Sequence, residues 1–268
     1  MKKLTLLRLL TLFAFIFFSV NLFAQEIEAK YNITYGSLLD LGIATSTLKI
    51  QDNNYSIIMK AQTTGLSKYL TNNRVEIYES HGKIIDDQFV PNIFIKTKKD
   101  DLKKRVRTYT FEHENKKVIV HDLKSGNEKS MDSDFKTQLK KIHEEKTHNL
   151  EYYAKNDILS LFFNLRKKLP IFEKGKEYTL NAVGANKTKG LINILMPSSN
   201  DLEKINTYLK TDDKSKFTAF INQRIFQSKR GELLISLNKE GFCSYAVLRD
   251  VLLFGDIVGK MVDFKIKG

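Results

Sequence analysis

The stretch from Asn156 to Pro170, NDILSLFFNLRKKLP, is the feature that most constrains how this chain can fold. Its apolar residues recur with the period of an α-helix, and Leu159 and Phe163 widen the apolar stripe. The stripe itself consists of Ile158, Leu161, Phe162, Leu165 and Leu169. Asn156 or Asp157 is suited to cap the N-terminus of such a helix, and Pro170 prevents its continuation. We therefore expect a helix whose wide apolar face must be covered by the rest of the chain.

Most of the remaining chain has the two-residue alternation of β-strands. At the C-terminus, for example, Val262, Phe264 and Ile266 alternate with Asp263, Lys265 and Lys267. Such a pattern is typical of a strand with one solvated face. Roughly a dozen short strands and one helix predict a mainly β fold of the α+β class. We expect an antiparallel curved sheet or open β-barrel packed around the one central helix.

The first 24 residues have the organisation of a secretory signal peptide. A basic start is followed by the apolar run 9–20, and Ala24 is a small residue before the polar Gln25. An uncleaved membrane anchor is the alternative, but the apolar run is short for a bilayer span. We expect export to the periplasm, cleavage after Ala24, one β-rich domain over residues 25–268, and no stable membrane span in the mature protein.

The chain is strongly basic. Removal of the leader takes away three basic residues, Lys2, Lys3 and Arg8, and lowers the formal charge from +13 to +10. Outside the cytoplasm such an excess favours anionic partners such as lipid head groups, lipopolysaccharide or acidic polymers over nucleic acid. The alternative is a solvated surface, because the lysines are scattered along the chain. The single cysteine, Cys243, allows no internal disulfide.

The segment 124–149, KSGNEKSMDSDFKTQLKKIHEEKTHN, lacks either periodicity and is polar and charged. Its few apolar residues could at most anchor a short surface helix. We therefore predict a charged mobile loop at about residues 124–149.

No catalytic or metal-binding motif is found along the chain. The two imidazoles of HEEKTH, His143 and His148, are five residues apart, whereas the metalloprotease motif requires four. Cys243 has no histidine after it in the chain, so it is better explained as a buried thiol than as a nucleophile. We expect no enzymatic activity, no cofactor and no metal.

Five stretches, which cover most of the chain after the leader, carry a family resemblance: YNITYGSLLDLGIATSTLKI, NYSIIMKAQTTGL, RVRTYTFEHENKKVIV, NDILSLFFNLRKKL and GELLISLNKEGFCSYAVLRDVLLFGDIVGKM. Together, in this order and spacing, they resemble the exported bacterial family catalogued as domain of unknown function 3108. The resemblance implies an exported, mostly β protein, and it carries no activity or catalytic residues.

Two functions are consistent with these observations. The first is a periplasmic protein that binds or carries a lipid or another apolar ligand in a groove beside the helix. Four aromatic residues are the candidate lining: Phe162, Phe163, Tyr109 and Phe111. Tyr109 and Phe111 are expected to share their strand face with Arg105 and Arg107, because all four stand at odd positions of one strand. The alternative is a structural or assembly factor of the cell envelope that acts through a protein–protein surface.

Overall fold

The computed structural model describes residues 24–36, 39–131, 137–185, 189–220, 231–251 and 255–268. The predicted leader, apart from Ala24, lies outside the described residues. These residues form one antiparallel sheet of fourteen strands with three α-helices. The strands are β1 (Ala24–Tyr35), β2 (Leu39–Gln51), β3 (Asn54–Thr63), β4 (Val75–Ile85), β5 (Gln88–Lys99), β6 (Lys103–Glu112), β7 (Lys117–Met131), β8 (Thr137–Asn149), β9 (Glu177–Asn181), β10 (Leu191–Leu195), β11 (Ser215–Phe220), β12 (Glu232–Leu237), β13 (Cys243–Val251) and β14 (Gly255–Lys267).

The sheet is a long meander whose two halves meet at β1. Strands β1 to β8 follow one another on one side of β1, and β14 to β9 follow one another on the other side. The sheet is not closed, because β8 and β9 stand at its two ends. The prediction of a mainly β protein with an antiparallel sheet is thus confirmed.

The three α-helices are α1 (Gly65–Leu70), α2 (Ile158–Lys168) and α3 (Ser199–Tyr208). A short 3₁₀ turn, Leu169–Ile171, follows α2 and contains Pro170. Helix α2 lies within the stretch that the apolar period predicted, and Asp157 is its N-cap. The buried side of α2 also carries two polar residues, Ser160 and Asn164. An apolar stripe alone did not indicate them.

Side chains from many strands and from α2 form the core. One cluster joins Leu159 and Phe163 of α2 to buried residues of β1, β2, β3, β5, β6 and β7. A second cluster joins Leu165 and Leu169 to buried residues of β10, β11 and β12. The face of the sheet that carries these clusters is called the inner face below. Strand β1 alternates between buried and more exposed residues, as the pleat requires. Strands β11 and β12 instead carry runs of buried residues, and Ile205 of α3 packs in a further cluster with Leu234 of β12.

The segment 124–149 is strand, not the predicted loop, throughout its described residues. It forms most of the hairpin of β7 and β8, paired from Ile119 opposite Asn149 to Met131 opposite Thr137. The prediction was wrong because it required an apolar face of each strand. A strand at the end of a sheet needs none, and charged side chains there also discourage pairing with other chains. Cross-strand pairs replace apolar contacts: Lys124 with Glu144, and His121 with Glu145.

Candidate binding face on strands β4 to β7

The inner face of strands β4 to β7 changes character along its length. One transverse row, here called the aromatic row, is formed by Ser80, Phe94, Tyr109 and Val120. All four of its residues are buried in the described structure. The next two rows along the same strands, here called the charged rows, consist of Tyr78, Lys96, Arg107 and Asp122, and then of Glu76, Lys98, Arg105 and Lys124. The face therefore passes from apolar to charged within four residues of each strand.

Helix α2 covers the aromatic row and is fixed there by buried polar contacts. Asp157 accepts hydrogen bonds from the Ser80 hydroxyl of β4 at 2.6 Å and from the backbone N–H groups of Leu159 and Ser160 at 2.7 and 3.0 Å. The Tyr55 hydroxyl of β3 lies 3.0 Å from that of Ser80. Because Asp157 is fully buried, desolvation raises the pKa of its carboxyl group, and these hydrogen bonds oppose that shift.

A second contact joins the middle of α2 to β5. The side-chain amide of Asn164 accepts from the backbone N–H of Phe89 at 2.9 Å and donates to the Phe89 carbonyl at 3.0 Å. It also donates to the side-chain oxygen of Asn156 at 2.9 Å. This amide therefore satisfies a backbone segment of β5 as a neighbouring strand would, which explains why a polar residue stands on the buried side of α2.

The charged rows are held by ion pairs and remain partly solvated. Asp122 accepts from Arg105 and from Arg107, the latter at 2.8 Å. These guanidinium groups, Arg105 first, lower the pKa of Asp122 to about 2. Glu76 pairs with Arg74 and, at 3.4 Å, with Lys98. The side chains of Lys98 and Arg105 remain 45% exposed, so an anion in solution can reach both.

Lys96 is the most unusual charged group of the face. Its ammonium donates to the backbone carbonyl of Gly184 at 2.9 Å and lies 5.2 Å from the centre of the Tyr78 ring. Burial, followed by repulsion from Lys98 and Arg107, lowers the pKa of Lys96 to about 8. Gly184 has a φ of +88°, and a Cβ there would lie 2.6 Å from the Phe94 ring. Glycine is thus required at this position, where the connection between β9 and β10 approaches the sheet.

The four aromatic residues predicted to line a groove belong to one packed cluster. Phe163, Tyr109 and Phe111 are buried, and Phe162 is partly buried against the same cluster. The Phe163 ring meets those of Phe89, Phe162 and Phe242 edge to face, with centroid distances of 4.9–6.2 Å. Tyr109 stacks on Phe94 at 5.6 Å. In this arrangement the rings fill the space beneath α2 with one another.

The family model described as "Protein of unknown function (DUF3108)" matches residues 30–230. The chain belongs to this family. No curated protein matches the chain. Among solved structures, the chain is similar to the crystal structure of a beta-barrel-like protein of domain of unknown function DUF1849 from Brucella abortus. That likeness has a TM-score of 0.43 and 12% sequence identity, and it covers 93% of this chain and 100% of the other.

Sequence reasoning found part of the face of this DUF3108 family member and missed the rest. It placed Arg105 and Arg107 on one face with Tyr109 and Phe111, as the register of β6 has them. It missed Glu76, Lys96 and Asp122. The signal for Lys96 was the alternation Phe94, Lys96, Lys98 in β5, but only the register between strands shows which rows these residues join.

Among the described residues, no group of three or more histidine, cysteine, aspartate or glutamate side chains is placed to hold a metal ion. None of the described helices combines the length and the apolar character of a membrane-spanning helix.

Proposed function

We propose that this protein is an exported, non-enzymatic binding protein of the periplasm that holds an anionic amphiphile, such as a lipid, on the inner face of β4 to β7. The acidic head group lies against the charged rows, and the apolar part extends towards the aromatic row. The observation that carries the proposal is the change from aromatic to basic side chains along one face of the same four strands. A ligand with one apolar and one anionic end is complementary to such a surface.

The charge balance of the face supports an anionic ligand. The charged rows contain more cations than acids: Lys96, Lys98, Arg105, Arg107 and Lys124 against Glu76 and Asp122. Arginine presents several N–H donors in one plane, so Arg105 and Arg107 retain donors for a ligand while they bind Asp122. A phosphate or carboxylate placed between Lys98 and Arg105 would make charge-assisted hydrogen bonds to both.

Helix α2 is the element that controls access for the apolar part. In this proposal the sheet surrounds α2 as its central helix, and the ligand enters by separating α2 from β5 and β6. Phe162, Phe163, Tyr109 and Phe111 then become the lining of the opened groove. The hydrogen bonds of Asp157 to Ser80 and of Asn164 to Phe89 oppose this separation and set its energetic cost.

The absence of enzymatic activity is part of the same proposal. Burial raises the pKa of the Cys243 thiol to about 12, so the reactive thiolate is scarce at neutral pH. Burial raises the pKa of the Asp157 carboxyl group. Its oxygens, however, already accept hydrogen bonds from the Ser80 hydroxyl and from backbone N–H groups at the N-terminus of α2. Both groups therefore serve the core better than they would serve catalysis.

Calorimetric titration with dodecyl phosphate below its micelle concentration tests this function, with dodecyl maltoside as the uncharged comparison. We expect binding of the phosphate only, and a loss of about ten-fold or more in affinity for the double variant Lys98→Gln/Arg105→Gln. The matched control is Lys60→Gln/Lys104→Gln, which removes the same charge from the opposite face of β3 and β6. Equal binding of both detergents, or equal losses in both variants, would contradict the proposal.

A second candidate is the envelope assembly factor, which one observation favours. Strand β8 stands at an end of the sheet, and most of its described side chains are solvated. A protein partner with complementary charges could bind these solvated side chains. Crosslinking in intact cells from residues of β8 discriminates the two functions. A single stoichiometric protein partner, together with no binding of dodecyl phosphate, would favour the assembly factor.

A further inference from the structure

Helix α1 exposes an unusual concentration of large apolar side chains. Leu66, Tyr69 and Leu70 are 58%, 80% and 76% exposed. They stand at i, i+3 and i+4, so they share one side of the helix. Ser67 is the buried residue of α1 and faces the protein. Isolated exposed apolar residues are common on protein surfaces, but a group of three on six residues marks a contact surface.

The connection that presents these side chains is firmly held. Thr71 donates its hydroxyl to the Ser67 carbonyl at 2.7 Å, and this hydroxyl lies 2.9 Å from that of Thr63 on β3. Asn72 accepts from the backbone N–H of Asp101 at 2.9 Å. The β5–β6 turn is therefore tied to α1. Residues 65–74 and 99–104 together are called the α1 tip below.

The α1 tip is basic as well as apolar. It contains five basic and two acidic residues: Lys68, Arg74, Lys99, Lys103 and Lys104 against Asp100 and Asp101. Both acids are engaged in the turn. Asp100 accepts from the backbone N–H groups of Leu102 and Lys103, and Asp101 accepts from the Asn73 amide. The basic side chains thus dominate the charge that the tip presents to a partner.

A pocket of about 400 Å³, open to solvent, lies next to α1. Its lining includes Thr64, Lys68, Asn73 and Arg74. The volume falls in the range of small-ligand sites, roughly 300–1,000 Å³. Arg74 uses its Nε and one terminal nitrogen on Glu76, which leaves further guanidinium donors for a phosphate.

We infer that the α1 tip docks on the surface of a bilayer that contains anionic lipids. Leu66 and Leu70 enter the boundary of the acyl region, and Tyr69 lies at the level of the head groups, where amphipathic rings are favoured. Lys68 and Arg74 bind a lipid phosphate in the pocket, while the lysines of the β5–β6 turn add attraction to the anionic surface. The basic residues of the α1 tip are different from those of the charged rows, although Arg74 contacts Glu76, and the inference does not require the proposed ligand.

Flotation of the purified protein with lipid vesicles tests the inference. One vesicle set contains phosphatidylcholine alone, and the other contains phosphatidylcholine and phosphatidylglycerol in a ratio of about two to one. We expect flotation with the anionic vesicles only, and a decrease at high salt. The variant Leu66→Ser/Leu70→Ser should lower the partition coefficient about ten-fold or more. The variant Lys68→Gln/Arg74→Gln should remove most of the preference for the anionic vesicles.

The matched control is Ile85→Ser/Ile171→Ser. These isoleucines are 50% and 78% exposed. Ile85 is the last residue of β4, whereas the α1 tip precedes its first residue, and Ile171 ends the 3₁₀ turn after α2. The control should float like the unchanged protein. Equal losses in both serine variants would overturn the inference, as would flotation with neither vesicle set. A third contradicting result would be an unchanged protein that is dimeric and does not bind vesicles, together with a monomeric Leu66→Ser/Leu70→Ser variant. Calorimetry with dodecyl phosphate, performed without vesicles, separates the two surfaces: Lys98→Gln/Arg105→Gln should lose affinity for this detergent, whereas Leu66→Ser/Leu70→Ser should retain it and lose only flotation.

Discussion

Two regions of the same four strands differ in their exposure to solvent. Along β4 to β7, the aromatic row is buried beneath α2, whereas the charged rows a few residues away are partly open to solvent. Both regions have the same backbone pairing and the same pleat. The difference therefore lies in the side chains and in the helix that covers one region. It teaches that one face of this sheet forms a packed core in one region and an accessible charged surface in the next.

The largest expected effect is the loss of stability on disrupting the packed region. Phe163→Ala removes a ring that contacts three other phenylalanines, and we expect a loss of about 3–5 kcal/mol in the free energy of unfolding. Lys98→Ala, in the charged rows, should change it by less than about 0.5 kcal/mol, since surface substitutions have small effects. Urea denaturation of both variants measures the contrast. Similar losses would show that the two regions do not differ in packing.

Asp157→Ala tests the polar contact that holds α2 over the aromatic row. The variant leaves the Ser80 hydroxyl and two N–H groups of α2 without their buried acceptor, so we expect a loss of about 3 kcal/mol. Asp157→Asn retains one acceptor oxygen and should lose less. The same denaturation experiment ranks the two variants. If both were as stable as the unchanged protein, α2 would not depend on this cap.

Lys96 lies at the boundary between the two regions, and its burial should make the free energy of unfolding depend on pH. Its folded-state pKa of about 8 is below the ordinary value of 10.5, so folding opposes its charge at neutral pH. The free energy of unfolding of the unchanged protein should therefore rise between pH 8 and 10.5, by about 2 kcal/mol relative to Lys96→Met. Denaturation curves at pH 7.5 and pH 10 give this difference. Parallel curves at both pH values would place Lys96 in solvent.

The smallest expected effect is the acid sensitivity that Asp122 contributes in the charged rows. The pKa of Asp122 is lowered to about 2 from its ordinary value of 3.8. Its contribution to stability is therefore present above pH 3.8 and is lost as the pH falls towards 2. On acidification, Asp122→Asn should lose less free energy of unfolding than the unchanged protein. The difference should be less than about 1 kcal/mol, because the pair is partly solvated. Unfolding at pH 5 and pH 2.5 compares them, and identical losses would argue against the ion pairs.

Helix α2 was predictable because its apolar residues repeat with a period that only a helix explains. Its cap was one of two neighbouring candidates, and Asp157 holds that place. Asn164 could not be assigned in advance, because its partner Phe89 becomes its neighbour only when α2 meets β5. Ser160 instead forms a local capping box with Asp157, three residues earlier in the chain. A polar residue on a helix has no recognisable role until its partner is known.

The β7–β8 hairpin and the charged rows escaped prediction for related reasons. Apolar alternation identifies strands that bury a face, and β8 buries little. The charged rows depend on register, since Lys96 and Arg107 are neighbours only because β5 and β6 pair at that step. A single sequence reports what each strand carries but not which residues of two strands stand opposite each other.

Photolabelling tests the central claim of this account most directly. An anionic alkyl phosphate with a diazirine near its head group would be bound and irradiated, and the labelled residues would be located by mass spectrometry. The account predicts labels on the charged rows, centred on Lys98 and Arg105, and competition by unlabelled dodecyl phosphate. Labels on the outer face of β4 to β7, or labels that dodecyl phosphate does not displace, would contradict it.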